Sequence, residues 1–412
     1  MNLELFIAKR LYGTRKGARR ISRPAVAIAQ WGVAIGAIVM LVSICIIVGF
    51  KQQVRDKIIG FGGHIQLLNY STTTDGELPL TADKILLKEL KETEGISHVQ
   101  CYTSKPGMIV ADNEYEGIVI KGVGADYDLK FFKQHTVEGV IPQFNDSTAS
   151  NLIVISRLIA NRLEVKTGDK INIYFLQNGI KARRMTVAAI YETHLHEMDN
   201  VIAISDIYTT RRLNNWNKED VTAIEITATD FRQLYETRDK IAATATEAAN
   251  RNEETLYTPT IEEMYPALFG WLGMLDQTVW IILILVLCIA GFTMVSGLLI
   301  LILEKTSLIG ILKAVGARDI SIRRIFIYYA CIITGKGLIA GNIIGTALCL
   351  LQQQLKPVEL DPEMYYMDRV PIEFTWLLIP MNIGMFILSV AMLVLPSMLV
   401  SRIEPTKAIR FE

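Results

Sequence analysis

Four apolar runs dominate the chain, at residues 25–50, 277–303, 325–352 and 374–400. Together they hold 108 residues and one charge, Lys336. Each is longer than the roughly 20 residues that cross a hydrocarbon core about 30 Å thick. The pattern predicts an integral membrane protein with four transmembrane helices. Between the first and second runs lies a long segment, 51–276, whose short alternating stretches predict a large α+β extracytoplasmic domain.

Composition changes the picture only once the charges are located. The 412 residues carry 42 basic and 42 acidic side chains, and the charged share is 20%. Outside the four runs that share rises to 27%, an ordinary soluble value. The zero balance excludes the basic excess of a nucleic-acid binder. It also conceals a sorting. Residues 1–24 carry seven Lys/Arg, the connection 304–324 carries five and the tail 401–412 carries three. The short connection 353–373 has only Lys356 and Arg369 beside five carboxylates. Excess Lys/Arg marks the cytoplasmic side, so both termini and 304–324 are expected there, with 51–276 and 353–373 on the other face. The first run is too long for a signal peptide and reads as a retained anchor.

Within 51–276, β-rich runs fall at 64–68, 108–111, 118–123, 152–155, 171–175, 185–191, 201–204 and 223–227. Turn pairs Asp112-Asn113, Gly168-Asp169 and Asn178-Gly179 separate several of them. Helices are expected at 82–93, 156–163 and 231–249, giving one or two lobes. Val54, Ile58 and Ile59 keep a helical spacing beyond the first run, and 265–275 leads into the second run in the same way. These stretches read equally well as stalks or as the domain's own end helices. Cys101 is the lone cysteine of the segment, so no disulfide is expected inside it.

Catalytic chemistry is sparse. Thr334-Gly335-Lys336-Gly337 lacks the glycine and the Ser/Thr that a phosphate-binding loop requires, so no nucleotide site is expected in this chain. His194-Leu195-His196-Glu197 with Asp199 is metal-capable, and a strand would put both histidines on one face. A single short cluster is a poor zinc site, and an exposed loop is the plainer reading. No metal, cofactor or catalytic residue is expected.

The apolar runs carry small-residue stripes, Gly32/Gly36 and Gly337/Gly341/Gly345, which permit close helix packing in lipid, within one protomer or between two. Lys336 stands about 12 residues, roughly 18 Å, into its run. That depth exceeds easy snorkelling, and Asn342, backbone carbonyls or a partner subunit could serve as its contact. In 304–317, apolar residues 308, 311, 312 and 315 share one face of a short helix stopped by Gly316. Such a helix fits a partner's groove better than anionic lipid, because Glu304 flanks it.

That last stretch resembles the coupling helix of FtsX-like ABC-transporter permeases. Gly49-Phe50 with Gly60-Phe61-Gly62-Gly63-His64-Ile65 is similar to the span exit of the lipoprotein-releasing (Lol) branch. So are Val119-Ile120-Lys121-Gly122-Val123 with Asp126 and Gly139, and Ile155-Ser156-Arg157-Leu158-Ile159-Ala160 through Gly168-Asp169. Tyr365-Tyr366 with Val370-Pro371-Ile372 resembles that branch's short outer loop. Pro396-Ser397, Ser401-Arg402-Ile403-Glu404-Pro405, Ala408-Ile409-Arg410 and Glu412 resemble its tail.

The resemblance implies a permease of the inner membrane of a Gram-negative-type bacterium. It would work with a second permease protomer and a cytoplasmic ABC ATPase dimer that holds ATP and Mg²⁺. Lipoprotein acyl chains would enter between the first and second spans and pass to a periplasmic carrier. Glu304, Lys305, Ile309, Leu312, Lys313, Val315, Gly316 and Ala317 would then form the ATPase-coupling surface. Two departures stand out: the connection at 176–184 is shorter than the carrier-docking hairpin of the branch, and Lys336 interrupts a span the family keeps apolar. A mechanotransmission permease exporting macrolides, toxins or peptides, a cell-division permease, and a scaffold or sensor with no transport cycle are the competing readings.

Overall fold

The computed structural model describes residues 3–13, 22–70, 78–111, 114–175 and 180–392. The turns Asp112-Asn113 and Asn178-Gly179, residues 176–179 of the short connection, Arg15, Lys16, Arg19 and Arg20, Pro396-Ser397 and the tail 401–412 lie outside the described residues. The chain divides into two compact units. One comprises Met1–Gln52, Trp271–Glu359 and Arg369–Glu412; the other comprises Gln53–Gly270 and Leu360–Asp368.

Among the described residues, three helices are long and apolar enough to cross a membrane. The first spans Ser22–Gly62, the second Pro266–Glu304 and the third Asp319–Leu355. Each contains an expected run, and the continuations beyond 50 and before 277 are both helical. Pro266 opens the second helix, where its missing N–H costs nothing. The third helix starts six residues before the expected 325, so most of the connection 304–324 is helical. The fourth run, 374–400, starts with a short turn and continues as the helix Leu378–Met392; residues 393–400 lie outside the described residues. An N-terminal helix, Leu3–Gly13, was not expected, and its Ala8 is fully buried in the core of this unit. Near residue 50 the first two helices are tied together. Lys51 Nζ meets Asp276 Oδ2 at 2.5 Å, and the Phe50 and Trp271 rings pack edge-on at 5.5 Å.

The other unit is the α/β domain. Its strands are β1 (Ile65–Asn69), β2 (Leu80–Thr81), β3 (Ile96–Ala111), β4 (Glu114–Val123), β5 (Thr136–Gly139), β6 (Leu152–Ser156), β7 (Lys170–Phe175), β8 (Lys181–Tyr191), β9 (Ile202–Asp206), β10 (Asp220–Val221), β11 (Ala223–Ala228) and β12 (Leu256–Tyr257). All eight expected β-runs are present, and the three expected helices fall at Lys84–Glu92, Arg157–Arg162 and Leu234–Asn252.

Pairing divides the domain into two lobes. Strands β3, β4, β9, β6, β8 and β7 form a closed ring, with β4–β9 and β6–β8 parallel. Alternate residues of all six strands point into one core, including Ile109, Ile120, Ile155, Ile173, Val187 and Ala203. The N-terminal half of β3 continues into an antiparallel sheet with β11, β1 and β12. Its separate core is completed by Leu86 and Leu90 of one helix and Ile241, Ala245 and Ala248 of another. The 16-residue β3 therefore serves both lobes.

Candidate functional site

The candidate for coupling to a partner is the helix Thr306–Ala314. Its end is a complete Schellman motif: Gly316 N–H donates to Lys313 O, Ala317 N–H donates to Leu312 O, and Gly316 takes φ +92°. Only glycine adopts that conformation without strain. Glu304 and Lys305 pair at 3.3 Å, and Lys313 pairs with Asp319 at 3.0 Å, so these three coupling candidates fix the helix at both ends.

The expected single apolar face needs correction. Ile309 is fully buried with Ile302, Ile322, Ile325 and Phe326, and Leu312 and Ala317 pack partly against the same core. Ile311 and Val315 point outward, 51% and 83% exposed. At about 100° per residue, the stripe of 308, 311, 312 and 315 is turned roughly a quarter-turn from the buried edge. The helix thus has two apolar directions. One seats it on its own bundle, and among the described residues the other is left open.

The glycine stripes are contacts within this chain. A Cβ on Gly337 would stand 2.8 Å from Gln30 O, and one on Gly341 would stand 2.5 Å from Ala34 O. Gly345 lies against Ile38 and Leu41, so the third long helix packs on the first. Gly32 faces Thr293, and Gly36 faces Met385 and Ala290. Asn342 donates to Asn382 Oδ1 at 2.7 Å. Lys336 itself lies on an exposed face of its helix.

At the other end of the first long helix, sequence reasoning missed a polar hub. The helix stops at Gly62, Gly63 turns at φ +70°, and β1 begins at Ile65. The last carbonyls of a helix lack partners and carry partial negative charge. Lys121 Nζ donates to Phe61 O and Gln66 Nε2 donates to Gly62 O. Lys121 also meets Glu225 Oε1 at 2.5 Å, with the two residues 6% and 1% exposed. Glu225 Oε2 accepts from Gln100 Nε2 and Tyr127 OH, each at 2.9 Å. The ammonium lies 4.4 Å from the Tyr102 ring centre. Burial pushes the Lys121 pKa down while Glu225 opposes it, and burial raises Tyr127. In the sequence Lys121 is one charge in a β-run; the clue was its place among apolar neighbours on both sides.

His64 belongs to the same junction. Its Nδ1 accepts from Ala228 N–H at 2.9 Å, which requires that nitrogen to be unprotonated. Burial and then Arg55 lower its pKa from 6.5 to about 4. The unfolded chain therefore takes up the proton first as pH falls. Stability is full above pH 6.5, declines toward pH 4 and loses up to about 3 kcal/mol. His64→Asn, which keeps an acceptor, is expected to flatten that slope in pH-dependent denaturation of the full chain; an unchanged slope would show that another group titrates.

The His194–Asp199 cluster is neither a strand nor an exposed loop. His194 takes φ +61°, and His196 opens the four-residue helix His196–Asp199, so the two rings share no strand face. Asp199 is buried and accepts from Thr193 Oγ1 at 2.7 Å, while His194 Nε2 meets Asp368 Oδ1 at 2.8 Å. These polar atoms are used in holding chain segments together.

Long apolar helices and a separate α/β domain define the class, a membrane protein with a large folded domain outside the apolar bundle. Comparison with known proteins makes this specific. Residues 27–244 match the family described as MacB-like periplasmic core domain, and residues 280–405 match FtsX-like permease C-terminal. The chain belongs to the FtsX-like permeases with a MacB-like periplasmic core domain. It is 21% identical over 401 residues to the lipoprotein-releasing system transmembrane protein LolC of Neisseria meningitidis serogroup B, covering 92% of both chains. It is 22% identical to the corresponding LolE of Haemophilus influenzae, again over 92% of both. The crystal structure of the periplasmic region of MacB from Actinobacillus actinomycetemcomitans aligns over 51% of this chain and 95% of its own, with 11% identity and a TM-score of 0.36.

Proposed function

We propose that the chain is the permease subunit of an ABC transporter that extracts lipoproteins from the outer leaflet of the inner membrane and hands them to a periplasmic carrier. The observation that carries this reading is the full-length similarity to lipoprotein-releasing transmembrane proteins. In it the chain crosses the membrane four times, both termini are cytoplasmic, and ATP and Mg²⁺ sit on a separate ATPase dimer. Two protomers enclose the acyl chains between their first and second spans. Burying an acyl chain is worth about 0.8 kcal/mol per CH₂, so removal needs an external source of work.

The helix Thr306–Ala314 receives that work. Ile311 and Val315 enter the ATPase groove, while Ile309 and Leu312 pass the displacement to the bundle. Glu304, Lys305, Lys313, Gly316 and Ala317 keep the helix rigid. Val315→Asp with Ile311→Asp is expected to reduce ATPase co-purification at least about tenfold, as loss of a central apolar anchor does, with normal amounts of permease in the membrane. Undiminished co-purification would reject this docking face. A mechanotransmission permease exporting small molecules or peptides is the second reading, favoured by the match of residues 27–244 to the MacB-like core.

A further inference from the structure

The connection between the third long helix and the helix Leu378–Met392 reads in sequence as a plain extracytoplasmic turn. Its middle, Leu360–Asp368, instead belongs to the compact unit of the α/β domain. The segment is a built structure. Asp361 caps the turn Pro362–Tyr365 by accepting from Glu363 N–H at 3.0 Å, and Leu360 N–H donates to Asp368 O at 2.8 Å. Met367 is 3% exposed. Tyr366 takes the left-handed conformation, φ 60° and ψ 14°, which sets where its carbonyl points.

Two side chains hold the segment. Lys57, on the first long helix, donates at 2.6 Å to Tyr366 O and at 2.6 Å to Thr193 O. His194 Nε2 meets Asp368 Oδ1. The turn that supplies Thr193 and His194 is itself fixed, because Asp199 accepts from both the backbone and the hydroxyl of Thr193. The residues flanking the segment belong to the membrane unit: the Gln352 side-chain amide donates to Val358 O at 3.1 Å and accepts from Val358 N–H at 3.2 Å. The third long helix starts five residues after Ala314, the last residue of the docking helix. A continuous path therefore runs from docking helix to third long helix to clasped segment.

We propose that Lys57 and His194 are positioning residues that hold Leu360–Asp368 on the domain as a second transmission link, beside the helices entering from the first two spans. This rests on the transport reading above. A segment serving only as a turn would need neither a shared lysine nor a carboxylate partner from the domain.

Hydrogen–deuterium exchange on the complex with its ATPase tests it. Trapping with ATP and vanadate is expected to change exchange at 193–199 and 357–370. In Lys57→Met, 357–370 should exchange about tenfold faster before trapping, because an opened local contact exposes its amides, and the trapped-state change at 193–199 should disappear. Lys57→Arg, which can still donate to both carbonyls, should restore both. Asp368→Asn, at an exposed side chain, provides the same comparison if Lys57→Met does not assemble. Exchange at 357–370 equal to wild type, or a trapped-state change at 193–199 that survives the substitution, would overturn the inference. Failure of the wild-type complex to release lipoprotein would count against the transport reading alone, since the exchange readout involves no substrate.

Discussion

Lys121→Met is expected to lower the stability of the periplasmic domain by about 3–5 kcal/mol, the cost of leaving one member of a buried pair without its counter-charge. The lost ammonium serves three acceptors or faces at once: Glu225, Phe61 O and the Tyr102 ring. Without it, the Glu225 carboxylate stays buried against Tyr127 and Gln100, and the end of the first long helix loses its cationic cap. Whole domains are stable by only about 5–15 kcal/mol, so the loss is a large fraction. Denaturant unfolding of the full chain would measure it. Lys121→Met combined with Glu225→Gln should recover much of the loss, because the double variant removes the unpaired charge. A single variant within about 1 kcal/mol of wild type would mean that the pair is not the fastening point.

The second large effect is expected at Gly341. A side chain there meets the backbone of Ala34, with its O at 2.5 Å and its Cα at 3.1 Å, and the Ala37 Cβ at 2.7 Å. Backbone cannot rotate away as a flexible side chain can, so the first and third long helices must separate. Gly341→Leu is expected to remove most assembled protein from the membrane, through an overpacking cost of about 3 kcal/mol or more. Gly335→Leu is the control, because nothing lies within 4 Å of a Cβ at that position. Melting of the detergent-solubilised protein distinguishes the two. Equal melting would place the close helix contact elsewhere.

Much of the architecture is legible in the sequence because it depends on local pattern. The apolar runs, the eight β-runs and the stop at Gly316 each follow from spacing within a few residues. What pattern does not reveal is long-range. Closing β3 against both β4 and β7, and pairing β4 with β9 in parallel, joins residues far apart in the chain. Ile207–Asn214 reads as a polar stretch, yet Thr209 and Thr210 are buried, with the Thr210 hydroxyl bonded to that of Thr103. The docking helix shows the same limit. Its apolar residues are plain in sequence, but which direction faces the bundle depends on Ile322 and Phe326 of the next helix. Lys57 and Asp368 carry no local signal, since each is an ordinary surface charge until the fold brings their elements together.

The central claim is that this chain couples ATP hydrolysis on a partner to removal of lipoproteins from the membrane. Its most direct test is release of a labelled lipoprotein from proteoliposomes containing the permease, its partner subunits and ATP, with a periplasmic carrier outside. Release is expected to require ATP and this chain together and to fall in proportion to ATPase docking in the Val315→Asp, Ile311→Asp variant. Equal release from vesicles lacking the chain, or a purified complex with no ATPase bound, would contradict it.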